Sequence, residues 1–309
     1  TPMRIEYQLG VTLVSSFLVT LTAFLLKLAL LPHTTVPISE PVASMEQSTV
    51  SLPRTESNTT QMNQITFKKG AMTPEEYQRL YKESIEEPEK FWAKVANDTL
   101  SWVKPFTTVF EPGKESVFDG FRWFGDGQLN ACYNAVDRPA KQHPDKVALI
   151  WEPNDPNKEQ PVKVTFKQLH ARVQQVAHYL KFKVGVKKGD RVTIYMPQLP
   201  ETLYAILACA RIGAVHNVVF AGFAAESLQS RILDSGSRVL LTVNGFHRGN
   251  KFVEMKSVVD KALVGCPSVT DVIVLRRETD NIVNVMKEGR DVWWEDTIAK
   301  APEQCEPVV

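Results

Sequence analysis

Residues Arg191–Lys251 read RVTIYMPQLPETLYAILACARIGAVHNVVFAGFAAESLQSRILDSGSRVLLTVNGFHRGNK, and this stretch decides the fold. Short β-rich runs alternate in it with runs that have the apolar spacing of amphipathic helices. The predicted strands are Val192–Met196, Val215–Phe220 and Arg238–Val243, and the predicted helices between them are Glu201–Ile212 and Ala224–Asp234. Such alternation is typical of βαβαβ winding, so the sequence predicts an α/β protein with a buried parallel sheet.

The same alternation extends on both sides of this stretch. Toward the amino end, Thr73 is a predicted N-cap, and Pro74 suits the first position of a helix. The other predicted helices are Glu86–Asn97, Asn130–Gln142, Phe166–Phe182 and Val253–Leu263, with a short helix after Trp294, and the other predicted strands are Val147–Trp151, Val162–Phe166 and Val269–Leu275. The pattern therefore predicts at least one more βα unit after Lys251.

The segment Asn244–Lys251, NGFHRGNK, follows the third predicted strand and is the candidate ligand site. Open α/β sheets bind ligands beyond the carboxyl ends of their strands. A glycine such as Gly249 lets backbone N–H groups approach an anion closely, and the cations Arg248 and Lys251 neutralise it. The residues alone predict a phosphate-binding loop of unspecified partner, with an ordinary solvated basic loop as the alternative.

The composition is that of an ordinary globular protein, because 43% of the residues are hydrophobic and 23% are charged. Lys and Arg number 36 against 35 Asp and Glu, without a clustered basic stripe, so nucleic acid is not expected as a partner. We interpret His216, on a predicted strand, as a core histidine. The scattered cysteines indicate neither a zinc site nor a disulfide framework; they are Cys132, Cys209, Cys266 and Cys305.

A hydrophobic segment precedes the globular part of the sequence. Residues Gly10–Leu31 are almost uncharged and, with Lys27 extending its ammonium toward the interface, reach the roughly 20 residues that a membrane span needs. Two interpretations stay open: a membrane helix near the amino end, or sequence that lies upstream of the true start. The second interpretation is based on the later methionines Met45, Met62 and Met72.

Four segments carry a resemblance to a known family: Tyr195–Glu201 (YMPQLPE), Ala208–His216 (ACARIGAVH), Val219–Ser227 (VFAGFAAES) and Arg248–Lys251 (RGNK). They resemble the acetyl-CoA synthetase branch of the AMP-forming acyl-CoA synthetases, which are members of the adenylate-forming superfamily. The resemblance extends from about Thr73 to Pro307. It implies the fold of the amino-terminal part of an adenylate-forming synthetase large domain, built of parallel βα units.

The resemblance also implies a binding site. In that family the loop matching Arg248–Lys251 holds the ribose 3′-phosphate of coenzyme A, and the segment matching Phe220–Phe223 lies along the tunnel in which the thioester forms. The implied coenzyme A residues are Arg248, Gly249, Asn250 and Lys251 at the phosphate and Phe220 and Gly222 in the tunnel. Related loops often carry two glycines between the cations, where this sequence has Gly249 and Asn250. The charges are retained, and only the tightness of the turn differs.

The implied activity is that of an acetate–CoA ligase, which converts ATP, acetate and coenzyme A into acetyl-CoA, AMP and diphosphate through an acetyl-adenylate. The family binds ATP with Mg²⁺ at a Ser/Thr/Gly-rich loop, which we expect within a few tens of residues after Val309. We also expect the acetate pocket and a mobile carboxyl-terminal domain outside this sequence. The sequence as given is thus expected to be an amino-terminal fragment that is catalytically inert by itself.

The residues present offer no catalytic constellation of their own. Ser227, His247 and Asp234 could be combined into a nucleophilic triad, but no nucleophile elbow supports that interpretation. The segments that begin at Gly113 and Gly249 lack the glycine and hydroxyl content of a nucleotide phosphate loop. No catalytic residue and no metal ligand is predicted in this sequence.

The expected organisation has four parts. They are a hydrophobic segment (1–32), a disordered linker (33–72), the lead-in of the synthetase branch (73–138) and an incomplete AMP-binding domain (139–309). A cytoplasmic location is expected, with mitochondrial or membrane-anchored locations as alternatives. Two other functions stay open: a synthetase for propionate or another short acid, and a non-catalytic binding fragment held at a membrane by residues 10–31.

Overall fold

The computed structural model describes residues 72–113, 120–277 and 286–309. The membrane helix predicted at residues 10–31 and nearly all of the predicted linker therefore lie outside the described residues. The described residues divide into two compact units, of which the first holds residues 72–99, 108–113 and 120–125. The second unit holds Leu100–Thr107 and Asp126–Val309. Within the described ranges, no helix is both long enough and apolar enough to cross a membrane.

The first unit contains two helices and a short antiparallel ribbon. Its elements are α1 (Pro74–Glu86), α2 (Pro88–Thr99), β1 (Phe110–Glu111) and β2 (Arg122–Trp123). The hydroxyl of Thr73 accepts a hydrogen bond from the backbone N–H of Glu76 at 3.2 Å, and Pro74 occupies the first turn. The helix start predicted from sequence is confirmed, because a threonine at this position satisfies an N–H group that the helix itself cannot.

The second unit alternates strands and helices along the chain. In order it contains a π-helical turn (Tyr133–Asp137), α3 (Arg138–Gln142), β3 (Val147–Trp151), β4 (Val162–Thr165), α4 (Phe166–His178), a second π-helical turn (Tyr179–Lys183), β5 (Arg191–Tyr195), α5 (Pro200–Ile212), β6 (Val215–Val218), α6 (Ala225–Ser235), β7 (Val239–Val243), β8 (Phe246–Arg248), β9 (Lys251–Val253), α7 (Met255–Leu263), β10 (Asp271–Leu275), β11 (Asp291–Trp293) and a 3-10 turn (Ile298–Lys300). The predicted α/β class is confirmed.

Five of these strands form one parallel sheet in the order β11-β10-β7-β5-β6. All five residues of the central strand β7 are buried, as expected for a parallel strand with both faces covered. Sequence analysis missed β11, where Asp291, Val292 and Trp293 pair with β10. This strand was missed because its three residues are too few to show the alternation of apolar and polar side chains that indicates a strand.

Residues next to each helix determine where it begins and ends. Thr165 and Gln168 form a capping box at the start of α4. Gly213 and Gly236 end α5 and α6 with φ of 73° and 61°, in the left-handed region that glycine adopts without a steric penalty. The predicted helix Phe166–Phe182 is α-helical only to His178 and continues as the second π-helical turn.

A buried amide joins the two ends of the second unit. The side chain of Asn130 is 4% exposed, and its Nδ2 donates to the carbonyl oxygen of Val308 at 2.7 Å and to that of Arg211 at 3.0 Å. The N–H of Val308 donates to the same Arg211 carbonyl at 2.8 Å. The carboxyl end of α5 is thereby fixed to the last residues of the chain.

Candidate functional site

A groove lies at the carboxyl edge of the sheet. Strand β5 pairs with β6 on one side and with β7 on the other, so the winding reverses between β6 and β7, and ligands of open α/β sheets bind outside such a switch point. The groove has a volume of about 1590 Å³. Its walls come from the segment after β5 (Pro197–Leu199), the segment after β6 (Phe220–Gly222), the hairpin β8–β9 and the β3–β4 connection.

The segment after β6 is held in a turn by backbone and side-chain hydrogen bonds. The N–H of Phe223 donates to the carbonyl oxygen of Phe220 at 3.0 Å, and the hydroxyl of Tyr195 donates to the carbonyl oxygen of Phe223 at 2.6 Å. The hydroxyl of Thr242 in turn donates to the carbonyl oxygen of Tyr195 at 2.9 Å. Since Tyr195 ends β5 and Thr242 belongs to β7, the sheet itself fixes the turn that carries Phe220 and Gly222.

The segment predicted as a phosphate-binding loop forms a β-hairpin. Strands β8 and β9 pair antiparallel, with Arg248 directly opposite Lys251 and with Gly249 and Asn250 at the tip. Gly249 has a φ of 58°, which a residue with a Cβ adopts only under strain. Directly opposed residues of an antiparallel pair project on the same face, so the two cations lie side by side. Neither cation forms an ion pair with another described residue.

Three of the residues singled out from the sequence meet at the mouth of the groove. The guanidinium carbon of Arg248 lies 5.8 Å from the ring centroid of Phe220, whose side chain is 56% exposed. A Cβ atom on Gly222 would lie 3.2 Å from Nη1 of Arg248 and 2.7 Å from Cε1 of Phe220. The backbone at Gly222 thus passes close against both side chains, and a Cβ at this position would displace them.

Sequence reasoning missed Asn154 in the β3–β4 connection. Its Nδ2 donates to the carbonyl oxygen of Gly249 at 3.2 Å, and its Oδ1 accepts from the N–H of Gly249 at 3.0 Å. The two residues are separated by 95 positions. Nothing in the local pattern around Asn154 indicates this contact, because only the assembled sheet brings the two segments together.

Asn244 was part of the candidate segment, but its supporting contacts beneath the groove were not foreseen from the sequence. Asn244 is fully buried, and its Oδ1 accepts hydrogen bonds from the N–H of Gly245 at 3.0 Å and the N–H of Arg277 at 2.9 Å. The backbone N–H of Lys256 donates to its carbonyl oxygen at 3.0 Å. Asn244 therefore links the ends of β7 and β10 to the start of α7, and its place just before Gly245 was the only available signal.

The two histidines and the serine considered above lie in ordinary structural surroundings. Burial lowers the pKa of His216, so its imidazole is neutral in the folded protein near pH 7, in keeping with a half-buried position in β6. Ser227 lies in α6, where its hydroxyl accepts a hydrogen bond from Arg231 at 2.7 Å. His247 lies in β8 with its ring 5.3 Å from that of Phe252. Ser227 and His247 thus each have a structural contact of their own.

A second groove of about 540 Å³ adjoins the first beside the end of β10. Burial raises the pKa of Glu201 in the first turn of α5, and it raises the pKa of Tyr204, one helical turn later, to about 12. Side chains of both signs line this groove, so it has no single charge preference; they include Arg172, Arg276, Arg277, Glu159, Glu201 and Glu295.

Comparison of the chain with known proteins identifies the family to which it belongs. Residues 136–307, more than half of the chain, match the family model described as AMP-binding enzyme. The chain belongs to the AMP-binding enzyme family. Residues 77–135 match the model described as acetyl-coenzyme A synthetase N-terminus, so the resemblance drawn from the four sequence segments is confirmed.

Individual relatives of this AMP-binding family member support the same assignment. Acetyl-coenzyme A synthetase 2 of Pseudomonas putida is 43% identical over 242 residues, which are 77% of this chain and 36% of that protein. Acetyl-coenzyme A synthetase of Phycomyces blakesleeanus is 47% identical over 239 residues, 75% of this chain and 34% of that protein. The solved structure of acetoacetyl-CoA synthetase from Streptomyces lividans matches with a TM-score of 0.64 and 28% identity, covering 75% of this chain and 34% of that one. The chain spans about a third of the length of the curated relatives it matches.

Proposed function

We propose that this chain functions as part of an AMP-forming acetate–CoA ligase, which makes acetyl-CoA from acetate, ATP and coenzyme A. In the step that consumes coenzyme A, its sulfur attacks the carbonyl carbon of acetyl-adenylate. A C–S bond forms, the C–O bond to AMP breaks, AMP leaves, and the thiol proton passes to water. The proposal is supported by the family match and by the similarity to relatives named acetyl-coenzyme A synthetase.

The observation that carries the proposal is the opposed pair of cations at the hairpin tip. The 3′-phosphate of coenzyme A is a compact dianion, and Arg248 can fork onto two of its oxygens while Lys251 adds a point charge. Both cations are exposed and Arg248 lines the groove, so a phosphate can reach them from solvent. Phe220 and Gly222 border the groove next to Arg248, where the remainder of the coenzyme would lie. The role of these residues is to bind and orient the coenzyme.

The remaining ligands of the ligase are part of the same proposal. ATP, Mg²⁺ and acetate are assigned to none of the described residues, because no glycine- and hydroxyl-rich phosphate loop occurs in the sequence. Location in the cytoplasm stays a prediction, as does the alternative of a binding fragment held at a membrane by residues 10–31.

The test is Arg248→Ala in the protein expressed from its complete coding sequence. Loss of a charged hydrogen-bond donor to the phosphate should raise the KM for coenzyme A about 10- to 100-fold. Acetate-dependent exchange of pyrophosphate into ATP should be unchanged, because adenylate formation precedes coenzyme binding. Arg79→Ala, which removes an exposed arginine of α1, is the control and should change neither value. An unchanged KM in Arg248→Ala, or loss of the exchange activity with it, would contradict the assignment.

A second candidate function is ligation of a different short acid. It is favoured by the similarity of the fold to acetoacetyl-CoA synthetase, although the relatives named acetyl-coenzyme A synthetase have the higher identities of 43% and 47%. Measuring kcat/KM for acetate, propionate and acetoacetate with the same enzyme decides between them. The proposal requires acetate to have the highest value.

A further inference from the structure

The contact between Asn154 and Gly249 has the pattern of one rung in a β-ladder. The carboxamide of Asn154 donates to the carbonyl oxygen of Gly249 at 3.2 Å and accepts from its N–H at 3.0 Å, so the side chain acts as a second peptide group. The contact involves both polar backbone groups of Gly249. It therefore fixes the position and also the orientation of the hairpin tip.

The tip of the hairpin needs such a contact because the core supports only the base, where Phe246 and Val253 pack against buried residues. Strands β8 and β9 have three residues each and form a two-stranded sheet of their own, separate from the five-stranded sheet. An isolated two-stranded hairpin is at best marginally stable in water. Gly249 is, in addition, exposed and in the left-handed region, where glycine has wide conformational freedom. Without Asn154, the tip would sample several conformations.

The segment that carries Asn154 is itself ordered. The carbonyl oxygen of Asp155 accepts from the N–H groups of Lys158 at 3.1 Å and Glu159 at 3.2 Å, and its Oδ1 accepts from the N–H of Asn157 at 3.0 Å. Glu159 forms an ion pair with Arg277. A residue can hold a flexible partner only if its own backbone is held, and this turn meets that condition.

Arg248 lies directly beside the contact. It precedes Gly249 in the chain, and its guanidinium also lies beside the ring of Phe220. A change in the orientation of the Gly249 peptide would turn Arg248 away from Lys251. The distance between the two cations, and so their joint fit to one phosphate, depends on the tip geometry.

We propose that Asn154 is the positioning residue of the 3′-phosphate site: it holds the hairpin tip in the one conformation in which Arg248 and Lys251 bind the same phosphate. This inference follows from the proposed coenzyme A function of the hairpin. Asn154 acts through Gly249 and does not need to touch the coenzyme. Its effect is therefore confined to ligands that carry the 3′-phosphate.

The test compares coenzyme A with 3′-dephospho-coenzyme A, using titration calorimetry on the protein expressed from its complete coding sequence. Asn154→Ala should weaken binding of coenzyme A about tenfold, because two hydrogen bonds that hold the binding-competent conformation are lost. Binding of 3′-dephospho-coenzyme A should be unchanged. Asn157→Ala is the matched control: it makes the same chemical change three residues away in the same exposed turn, and both affinities should equal those of the wild type.

Arg248→Ala, measured in parallel, separates the possible failures. If Arg248→Ala loses coenzyme A affinity and Asn154→Ala does not, the inference about Asn154 is wrong while the proposed site stands. If Arg248→Ala has wild-type affinity, or the wild type does not distinguish the two ligands, the phosphate site and the inference are both wrong. Equal losses for both ligands in Asn154→Ala would also overturn the inference, because they would indicate general damage to the groove.

Discussion

Arg211 and Asp137 form a buried, two-point ion pair in the second unit. Nη1 of Arg211 lies 2.6 Å from Oδ2 of Asp137 and Nη2 lies 3.0 Å from Oδ1, while the side chains are only 2% and 7% exposed. Nε of Arg211 also donates to the carbonyl oxygen of Cys305. The pair thus connects α5, the first π-helical turn and the carboxyl-terminal segment.

Removing one member of this pair should destabilise the protein strongly. In Asp137→Ala the guanidinium of Arg211 stays buried without its counter-charge, and we expect the free energy of unfolding to fall by about 3–5 kcal/mol. Urea unfolding followed by circular dichroism measures this change. The double variant Asp137→Leu/Arg211→Met should recover part of the loss, because it leaves no unpaired charge. A loss below about 1 kcal/mol in the single variant, typical of an exposed pair, would show that the site is hydrated.

Asp291 should make the protein sensitive to acid. Burial opposes its ionisation, but hydrogen bonds from Arg290 and Lys256 outweigh that effect and lower the pKa of Asp291. A carboxyl group with a lowered pKa in the folded state stabilises the fold above its unfolded pKa, near 3.9, and that contribution disappears as the pH falls through the folded value. We therefore expect Asp291 to contribute a decrease in the free energy of unfolding as the pH falls below about 4.

The Asp291→Asn variant checks this acid dependence. It should be less stable than the wild type at pH 7 and should lose less stability between pH 5 and pH 3, as measured by urea unfolding at each pH. The control is Asp234→Asn, which changes an exposed aspartate of α6. Its dependence of unfolding free energy on pH should match that of the wild type. Equal profiles for all three proteins would exclude Asp291 as a source of the acid dependence.

Gly222→Ala should weaken coenzyme A binding without unfolding the protein. The added Cβ would meet the ring of Phe220 at 2.7 Å and Nη1 of Arg248 at 3.2 Å, and both are the far ends of side chains that can move. We expect Arg248 to be displaced and coenzyme A affinity to fall several-fold, with the urea midpoint little changed. Titration calorimetry with coenzyme A and urea unfolding measure the two effects. Wild-type affinity in Gly222→Ala would argue against this steric cause.

The cysteines should be unreactive in the folded protein. All four are buried, and burial raises the pKa of Cys132 and of Cys209 to about 12, so the thiolate that reacts with alkylating agents is scarce at pH 8. Mass spectrometry after treatment with iodoacetamide should show no modification of the native protein and four modifications in urea. Rapid native labelling of Cys132 or Cys209 would show that the surrounding core opens readily.

Much of the central fold could be predicted from the residues alone. Within Arg191–Lys251 the predicted strands and helices agree with the observed elements to within about two residues, because proline, glycine or a charged residue marks several of the boundaries, as at Arg191, Pro200 and Gly213. The π-helical turns and β11 could not be predicted. The π-helical turn at Tyr133–Asp137 ends at the buried partner of Arg211, and β11 exists because β10 offers it hydrogen bonds.

The candidate site also has a part that could be predicted from the sequence and a part that could not. The opposed cations and the glycine between them are visible in a four-residue segment, Arg248–Lys251, and the family resemblance added their assignment to coenzyme A. The contacts of Asn154 and Asn244 cannot be predicted from the sequence, because tertiary folding brings each side chain its backbone partner: Gly249 for Asn154, and Arg277 for Asn244. Sequence patterns relate residues a few positions apart, whereas these contacts join residues that are 95 and 33 positions apart.

The hydrogen bond from Asn130 to Val308 has a consequence for synthesis of the chain. The two residues are 178 positions apart, so a ribosome that adds 5–20 residues per second needs roughly 10–40 s between them. During that interval the carboxamide of Asn130 lacks this acceptor, and the packing around it cannot be completed. A chaperone that binds nascent chains would have that time to reach apolar side chains that the finished protein buries.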